Sequence, residues 1–331
     1  MKNFAYVRPN SVEDAVSRAT RDRDALFIAG GTNLVDRLKA FLDEPSQLVD
    51  VSRLAMKQIT TTNEGGLKIG TLVTNTALAN NSEVRSNYPL LSRAILAGAS
   101  QQIRNMATVG GNLMQRTRCP YYYDTAFACN KRQPDTGCPA ATGINRTHAI
   151  LGASDRCVAV NPSDMSVALA ALDATVEVQG VEGKRLIPLV DFHRLPGNTP
   201  ERDTNLEPGE LITAVILPPA SFAQSGVYLK LRDRASYAFA LVSVAVALGV
   251  EGEQITNARM VLGGVAHKPW RATEAEDFLL GKTANKSSFE QAAAIALQDA
   301  KPLAHNGFKV ELSKRAIRRA LAVSAKGGGI A

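Results

Sequence analysis

Four cysteines carry all the thiol chemistry of this 331-residue chain, and they are crowded together. Cys119, Cys129 and Cys138 fall within "TRCPYYYDTAFACNKRQPDTGC" (117–138), and Cys157 follows after eighteen residues. No C-x-x-C pair occurs, so the common ferredoxin and zinc-ribbon spacings are absent. By spacing alone, two disulfides, a zinc site, an iron–sulfur cluster and free thiols all stay open. The segment shows neither helical nor strand periodicity and is long for a loop, so something must order it, and four thiolates around a metal would do so. Cys119 and Cys138 each precede a proline, which stiffens a ligand and removes an N–H. Arg116, Arg118, Lys131 and Arg132 would offset the negative charge of a thiolate-ligated centre. Tyr121, Tyr122 and Tyr123 are expected to pack over it and exclude water.

A second chemistry is suggested by glycine. "FIAGGTNL" (27–34) joins an apolar strand to a helix. Adjacent glycines let backbone N–H groups approach an anion with no Cβ in the way, and a helix N-terminus behind them adds partial positive charge. Thr32 and Asn33 add side-chain donors, and Thr32 is also a candidate helix cap. Neither G-x-G-x-x-G nor a P-loop lysine is present. "ATVGGNL" (107–113) has the same character. Two such turns suggest a long ligand with phosphates near its middle. His148, His193, His267 and His305 are scattered, form no ligand pair and include no evident general base.

The elements that must position these residues read as α/β and then α+β. "ALFIAGG", a helix placing Leu34, Val35, Leu38, Phe41 and Leu42 on one face, and "QLVDV" make a βαβ unit. "GGLKIGTLVTNTALAN" adds a strand and a helix opened by Asn75 or Thr76. "CVAVNPSDMSVALAALDATVEVQG" reads as strand, helix and strand, with Asp164 as a possible N-cap. "ELITAVILPP" is a strand closed by prolines. From about 223, "VYLKLRDR", "AFALVSVAVALGV" and "ITNARMVLGGVA" form a three-stranded antiparallel meander, in which Lys230 could face solvent. Helices at about 272–280, 287–300 and 308–324 follow, and the tail "KGGGIA" is expected to be mobile.

Composition sets the remaining bounds. Hydrophobic content of 45% and charged content of 21% are those of an ordinary globular protein. The net charge of +7 is spread out, and no nucleic-acid recognition motif accompanies it. The longest apolar stretch, 238–250, is too short to span a bilayer. The N-terminal residues have neither a signal core nor a twin arginine, so assembly in the cytoplasm is expected, with export to the periplasm open on a partner's twin-arginine signal.

"FIAGGTNLVDRL", "IRNMATVGGNL", "NPSDMSVALAALDATV", "GELITAVILP" and "VYLKLRDRASYAFALVSVAVAL", in this order, resemble the FAD-binding subunits of the molybdenum hydroxylases. "QRTRCPYYYD" and the cysteine insert are similar to the FAD and iron–sulfur subunit of bacterial periplasmic aldehyde oxidoreductases. 4-Hydroxybenzoyl-CoA reductase carries a comparable insert. The resemblance implies an α+β chain. A flavin domain of the p-cresol methylhydroxylase/vanillyl-alcohol oxidase type covers 1–222, with subdomains at about 1–57 and 58–222 and the iron–sulfur loop at 115–157. A smaller C-terminal α+β domain covers 223–331.

By matching motifs, Leu26, Phe27, Ile28, Ala29, Gly30, Gly31, Thr32, Asn33 and Leu34 would wrap the FAD pyrophosphate. Thr108, Gly111 and Asn112 would supply the second turn, with Gly98 and Arg118 beside the ligand. Asp164 would hold sugar hydroxyls, Ile212 would touch the ring system, and Lys230 would lie near the flavin's polar edge. Cys119, Cys129, Cys138 and Cys157 would ligate a 4Fe–4S cluster. The implied activity is electron transfer inside an αβγ heterotrimer. A molybdenum-cofactor large subunit oxidises an aldehyde to a carboxylic acid, and a 2Fe–2S small subunit passes electrons to this FAD and on to an external acceptor. The competing readings are a xanthine dehydrogenase- or 4-hydroxybenzoyl-CoA reductase-like flavin subunit, and a binding protein with a metal- or disulfide-stapled loop. The basic loop 116–136 and the C-terminal domain are the expected docking faces.

Overall fold

Three sheets organise the chain, and the computed structural model describes residues 1–220 and 223–328. The first is parallel: β1 (Ala5–Val7), β2 (Leu26–Ile28) and β3 (Gln47–Asp50) lie in the order β1-β3-β2. Parallel neighbours need crossovers. Helix Val12–Arg21 provides one, capped by the Ser11 hydroxyl, which accepts from the Asp14 amide. Neither β1 nor this helix was expected, although Ser11 followed by Glu13 and Asp14 is a start signal.

The second sheet is antiparallel, built from β4 (Ile59–Thr61), β5 (Leu67–Gly70), β6 (Thr175–Gly180), β7 (Gly183–Pro188) and β8 (Leu211–Leu217), ordered β4-β5-β8-β6-β7. Its inner face carries Leu67, Ile69, Val176, Val178 and Val215, all fully buried. The third sheet, β12-β11-β10-β9, contains β9 (Val227–Leu231), β10 (Val242–Glu251), β11 (Gln254–Gly263) and the short β12 (Trp270–Arg271). The expected meander is there, with β12 added on its edge. Helices Thr273–Leu279, Lys286–Ile295 and Phe308–Ser324 pack beside it. Helix Asp164–Ala171, buried on every face, packs against the third sheet and shares the hydrophobic core of the second.

Several local expectations need correction. The helix after the first glycine turn spans only Leu34–Lys39. Phe41 adopts φ +54° and is exposed, and the Leu42 amide bonds back to Arg37 O. This is a Schellman ending, so Phe41 leaves the helical face. Thr74, not Asn75 or Thr76, caps the helix Asn75–Asn80. Ser163 rather than Asp164 caps helix Asp164–Ala171. Residues 157–160 are not a strand; their regular pairing is limited to a single bridge, Ser154–Cys157. Residues 221–222, at the expected domain boundary, and 329–331 of the glycine tail lie outside the described residues.

The cysteine segment contains only the short helix Pro120–Tyr123 and a turn at Pro139–Ala141. Side chains tie it down instead. Arg116 Nε donates to Asp203 Oδ2 at 2.6 Å, and Lys131 Nζ pairs with Asp203 Oδ1 and donates to Pro200 O at 2.6 Å. Arg132 donates to the carbonyls of Tyr121, Tyr122 and Phe127. Most of the basic residues expected to balance thiolate charge are therefore engaged in ordering the loop. Burial works to raise the Asp203 carboxyl, but the adjacent Arg116 and Lys131 overcome it and hold it below the usual carboxylate range.

Two expectations follow for stability. A Cβ on Gly30 would overlap the Met106 carbonyl, which is backbone and cannot swing away. Gly30 is thus where the first sheet's turn closes on the rest of the molecule. Gly30→Ala should cost about 1–3 kcal/mol, read as a lowered thermal midpoint of the cofactor-free protein. Asp203→Asn should cost about 3 kcal/mol at neutral pH, because it strands the 1% exposed Lys131 ammonium. The folded carboxyl sits below its unfolded value, so its contribution exists above about pH 4 and fades as pH falls further. Denaturant titrations at pH 7 and pH 3 should show the difference between wild type and variant shrinking at the lower pH.

Candidate functional site

Two cavities meet at the glycine turns. The first chamber, about 470 Å³, is bordered by Gly98, Asn112, Arg118, Cys119, His148, Asp164 and the β9–β10 loop with Tyr237 and Phe239. The second, about 450 Å³, is bordered by all of Leu26 to Leu34, by Thr108 and by Ile212. Thr32, Asn33, Gly111, Gln115 and Thr117 border both. Each volume is typical of a small-ligand site, and the pair suits a ligand with two bulky ends and a narrow middle. Apart from Lys230, the cofactor-binding residues proposed from sequence therefore converge, although they come from distant parts of the chain.

The two glycine turns are not equivalent. Among the described residues, no protein acceptor takes the amides of Gly31, Thr32 or Asn33. Three successive free donors at the junction are what an anionic centre requires. In the second turn the amides of Val109, Gly110, Gly111 and Asn112 are engaged by Val73 O, Thr71 O, Thr108 Oγ1 and Thr108 O. That turn offers surface rather than donors. A Cβ on Gly110 would strike Thr71, whereas one on Gly111 would meet only Thr108 Oγ1, at 3.1 Å. The helices behind the turns have six and five residues. Their dipoles add less than the sequence suggested, and the free amides carry the anion affinity. Nor does Thr32 cap a helix. Asn33 holds the cap position without a capping bond, and its side chain instead accepts from the Arg116 amide at 3.0 Å and donates to Tyr123 OH at 3.3 Å. This stitches the first turn to the cysteine segment.

Asp164 is fixed from the third sheet. Tyr228 OH donates to its Oδ1 at 2.5 Å and Lys230 Nζ to its Oδ2 at 2.8 Å. Residues two apart on a strand share a face, which is why β9 delivers both. Burial, followed by the Asp164 charge, pushes the Tyr228 hydroxyl well above its ordinary value, so it stays a donor. Lys230 is buried rather than solvent-facing, also donates to Ala97 O, and stands behind Asp164 rather than on the chamber wall. Gly98 belongs here for steric reasons, since a Cβ would sit 3.1 Å from Asp164 Oδ2. No motif pointed to Arg104, which donates to Gly98 O at 2.6 Å, or to Ser163, whose hydroxyl donates to Asn112 Oδ1 at 2.7 Å.

All four cysteines line one small cavity of about 20 Å³, together with Tyr121, Tyr122 and Lys131. All are free thiols, so a disulfide staple is not what orders the loop. Tyr123 lies outside this lining and is taken up by Asn33. Among the described residues no group of three or more His, Cys, Asp or Glu side chains could hold a metal ion as placed. Burial pushes the Cys119 thiol up to about 12 and Cys157 to about 11, with Lys131 acting against burial at Cys157. Cys119 and Thr117 border both this cavity and the first chamber.

Three of the four histidines line the chambers. His148 Nε2 lies 3.1 Å from Cys119 Sγ. His193 and His267 line the second chamber, and each, like His148, has one ring nitrogen without a hydrogen-bond partner. Asn75 Oδ1, on a residue of the first chamber, is likewise orphaned. Unpaired buried polar atoms around two joined cavities are what a polar ligand would satisfy.

Comparison with known proteins agrees with this geometry. Residues 2–220 match the family described as the FAD binding domain in molybdopterin dehydrogenase, and residues 227–323 match the CO dehydrogenase flavoprotein C-terminal domain. The aldehyde oxidoreductase FAD-binding subunit PaoB of Escherichia coli (strain K12) is 51% identical, over 97% of this chain and 98% of that one. The carbon monoxide dehydrogenase medium chain of Afipia carboxidovorans is 28% identical, over 89% of this chain and 85% of its own. A crystal structure of Cu,Mo-CO dehydrogenase superposes with a TM-score of 0.77 at 26% identity, covering 99% of this chain and 100% of that one. Quinoline 2-oxidoreductase from Pseudomonas putida 86 gives 0.75 at 26% identity, with 99% of both chains covered. With free amides at a two-chamber junction, and family models matching both parts of its length, this chain belongs to the FAD-binding subunits of the molybdenum hydroxylases, an oxidoreductase family.

Proposed function

We propose that this chain is the electron-relay subunit of a molybdenum-dependent aldehyde oxidoreductase, with FAD in the joined chambers and a 4Fe–4S cluster at Cys119, Cys129, Cys138 and Cys157. The observation that carries the reading is that Cys119 borders both the cysteine cavity and the first chamber. A centre held by that sulfur adjoins whatever occupies the chamber. Bound there, FAD and the cluster would supply electron transfer between a partner's iron–sulfur centres and an external acceptor.

The chain's own groups have separable tasks. The open amides of Gly31, Thr32 and Asn33 hold the pyrophosphate. Leu26 to Ala29, Gly30 and Leu34 form the wall of the second chamber, where Ile212 gives an apolar face. Thr108, Gly111 and Asn112 close the junction, and Gly98 leaves room beside it. Asp164, held in place by Lys230 and Tyr228, accepts from sugar hydroxyls. Arg118, whose guanidinium stacks 5.3 Å from the Phe239 ring, closes the first chamber on its cysteine side. The cysteine set suits a cluster in its chemistry: four thiols line one cavity, walled by Tyr121 and the buried Tyr122.

The aldehyde substrate is inferred from the relative named an aldehyde oxidoreductase subunit. The partners are inferred as a molybdenum-cofactor large subunit and a 2Fe–2S small subunit in an αβγ assembly. Residues 1–222 are read as the flavin unit and 223–331 as the unit that buttresses Asp164. Among the described residues no helix is long and apolar enough to cross a membrane. Cytoplasmic assembly, with export on a partner's signal, is the inferred route.

The junction can be tested without disturbing the fold. Gly111→Leu adds a side chain where only Thr108 Oγ1 is near. We expect at least about tenfold less FAD per folded protein, with the cofactor-free thermal midpoint nearly unchanged; full flavin occupancy would remove Gly111 from the site. For the function itself, anaerobic mixing with an aldehyde should leave the isolated subunit's flavin oxidised. Addition of the molybdenum and 2Fe–2S subunits should bleach it. Each Cys→Ser replacement should lower iron and labile sulfide. Bleaching in the isolated subunit, or iron unchanged by every replacement, contradicts the relay reading.

A further inference from the structure

His148 is the histidine that adjoins the cysteine set, and the scheme above gives it no task. It is 2% exposed and lines the first chamber, while its Nε2 sits 3.1 Å from Cys119 Sγ. The imidazole therefore stands at the edge where the chamber and the cysteine cavity share a residue. Its position is set from far along the chain. His148 O accepts from Asn306 Nδ2 at 3.2 Å and from Lys309 Nζ at 2.8 Å. Lys309 is fully buried and also donates to Gly264 O at 2.6 Å, so its Nζ is committed to holding backbone. The Tyr121 ring packs against the imidazole with centroids 6.2 Å apart.

The chemistry of the pair follows from proton inventory. A sulfur that ligates iron has lost its proton and can only accept. Nε2 must then carry the hydrogen, and the contact is N–H donating to S. Nδ1 is left as the bare nitrogen, and no protein group bonds to it. Hydrogen bonds to ligand sulfurs favour the more negative, reduced centre and so raise its potential. Backbone amides of Tyr121 and Tyr122 also act on this sulfur, but no side-chain replacement removes them. His148 is the donor that substitution can adjust.

We propose that His148 is a positioning residue that donates to the Cys119 sulfur and sets the potential of the cluster against the adjoining flavin chamber, held in place by Asn306 and Lys309. The proposal rests on the reading of the four cysteines as an iron–sulfur ligand set, and the test separates the two. The full-length chain is purified as wild type, as His148→Gln, whose amide can still donate, and as His148→Leu, which cannot. Iron, labile sulfide and flavin are measured, and the cluster is titrated potentiometrically by its low-temperature magnetic resonance signal.

The Gln variant should keep the wild-type oxidised-to-reduced ratio at a fixed poise within about twofold. The Leu variant should shift that ratio roughly tenfold toward oxidised, about 59 mV for one electron. Iron retained in Gln but lost from Leu would also support donation as what holds this corner of the site. A Leu variant that titrates with wild type overturns the proposal. So does a Gln variant shifted as far as Leu, or loss of iron from both. Wild-type protein folded and flavin-loaded but free of iron would end the cluster reading itself.

Discussion

One carboxylate holds the part of this molecule that has no secondary structure to hold it. Asp203 takes Arg116 from before the first cysteine and Lys131 from between the second and third. A loop without a ladder or a helix must find its order in side chains, and buried charges are the strongest available. The arrangement is costly to break rather than strongly stabilising in itself, because either cation left alone would remain desolvated. Its value is positional. With the start and the middle of the segment anchored to the same residue, the four cysteines line one cavity.

Asp164 plays the corresponding part for the chambers. Tyr228 and Lys230 reach it from β9, so the third sheet fixes a group that faces the first chamber. The C-terminal helices contribute again through Asn306 and Lys309, which hold the backbone beside Cys119. The unit that looks like an appendage in sequence thus supports both sites. It lines the first chamber with its β9–β10 loop, and it also orients residues that belong to the preceding part.

The first glycine turn, the cysteines and the Ile212 strand were legible because each is a contiguous pattern of residue types with a local meaning. The equivalence drawn between the two glycine turns was not sound, since identical residues hide different hydrogen-bond accounts. Only packing shows that Thr71, Val73 and Thr108 consume the second turn's amides. Phe41 escaped the helical pattern because chain reversal at a left-handed residue leaves no periodic trace. Asp203 and His148, in irregular segments, and Arg104, on the short helix Gln101–Met106, had no signal: single polar residues read as solvent-facing until something is packed against them.

By itself the sequence determined what chemistry is possible: four thiols with no spare, adjacent glycines at a strand end, and no evident acid or base for substrate turnover. It also located many of the strands and helices, including β2, β3, β8 and the C-terminal meander, because apolar periodicity is a local property. The tertiary structure decided which groups meet. It placed Cys119 on both the chamber and the cysteine cavity, engaged Arg116 and Lys131 with a carboxylate more than seventy residues away, and buried Lys230 behind Asp164. Hydrogen bonds and ion pairs act over a few ångströms in space regardless of separation along the chain, so their partners become known only once the sheets are packed.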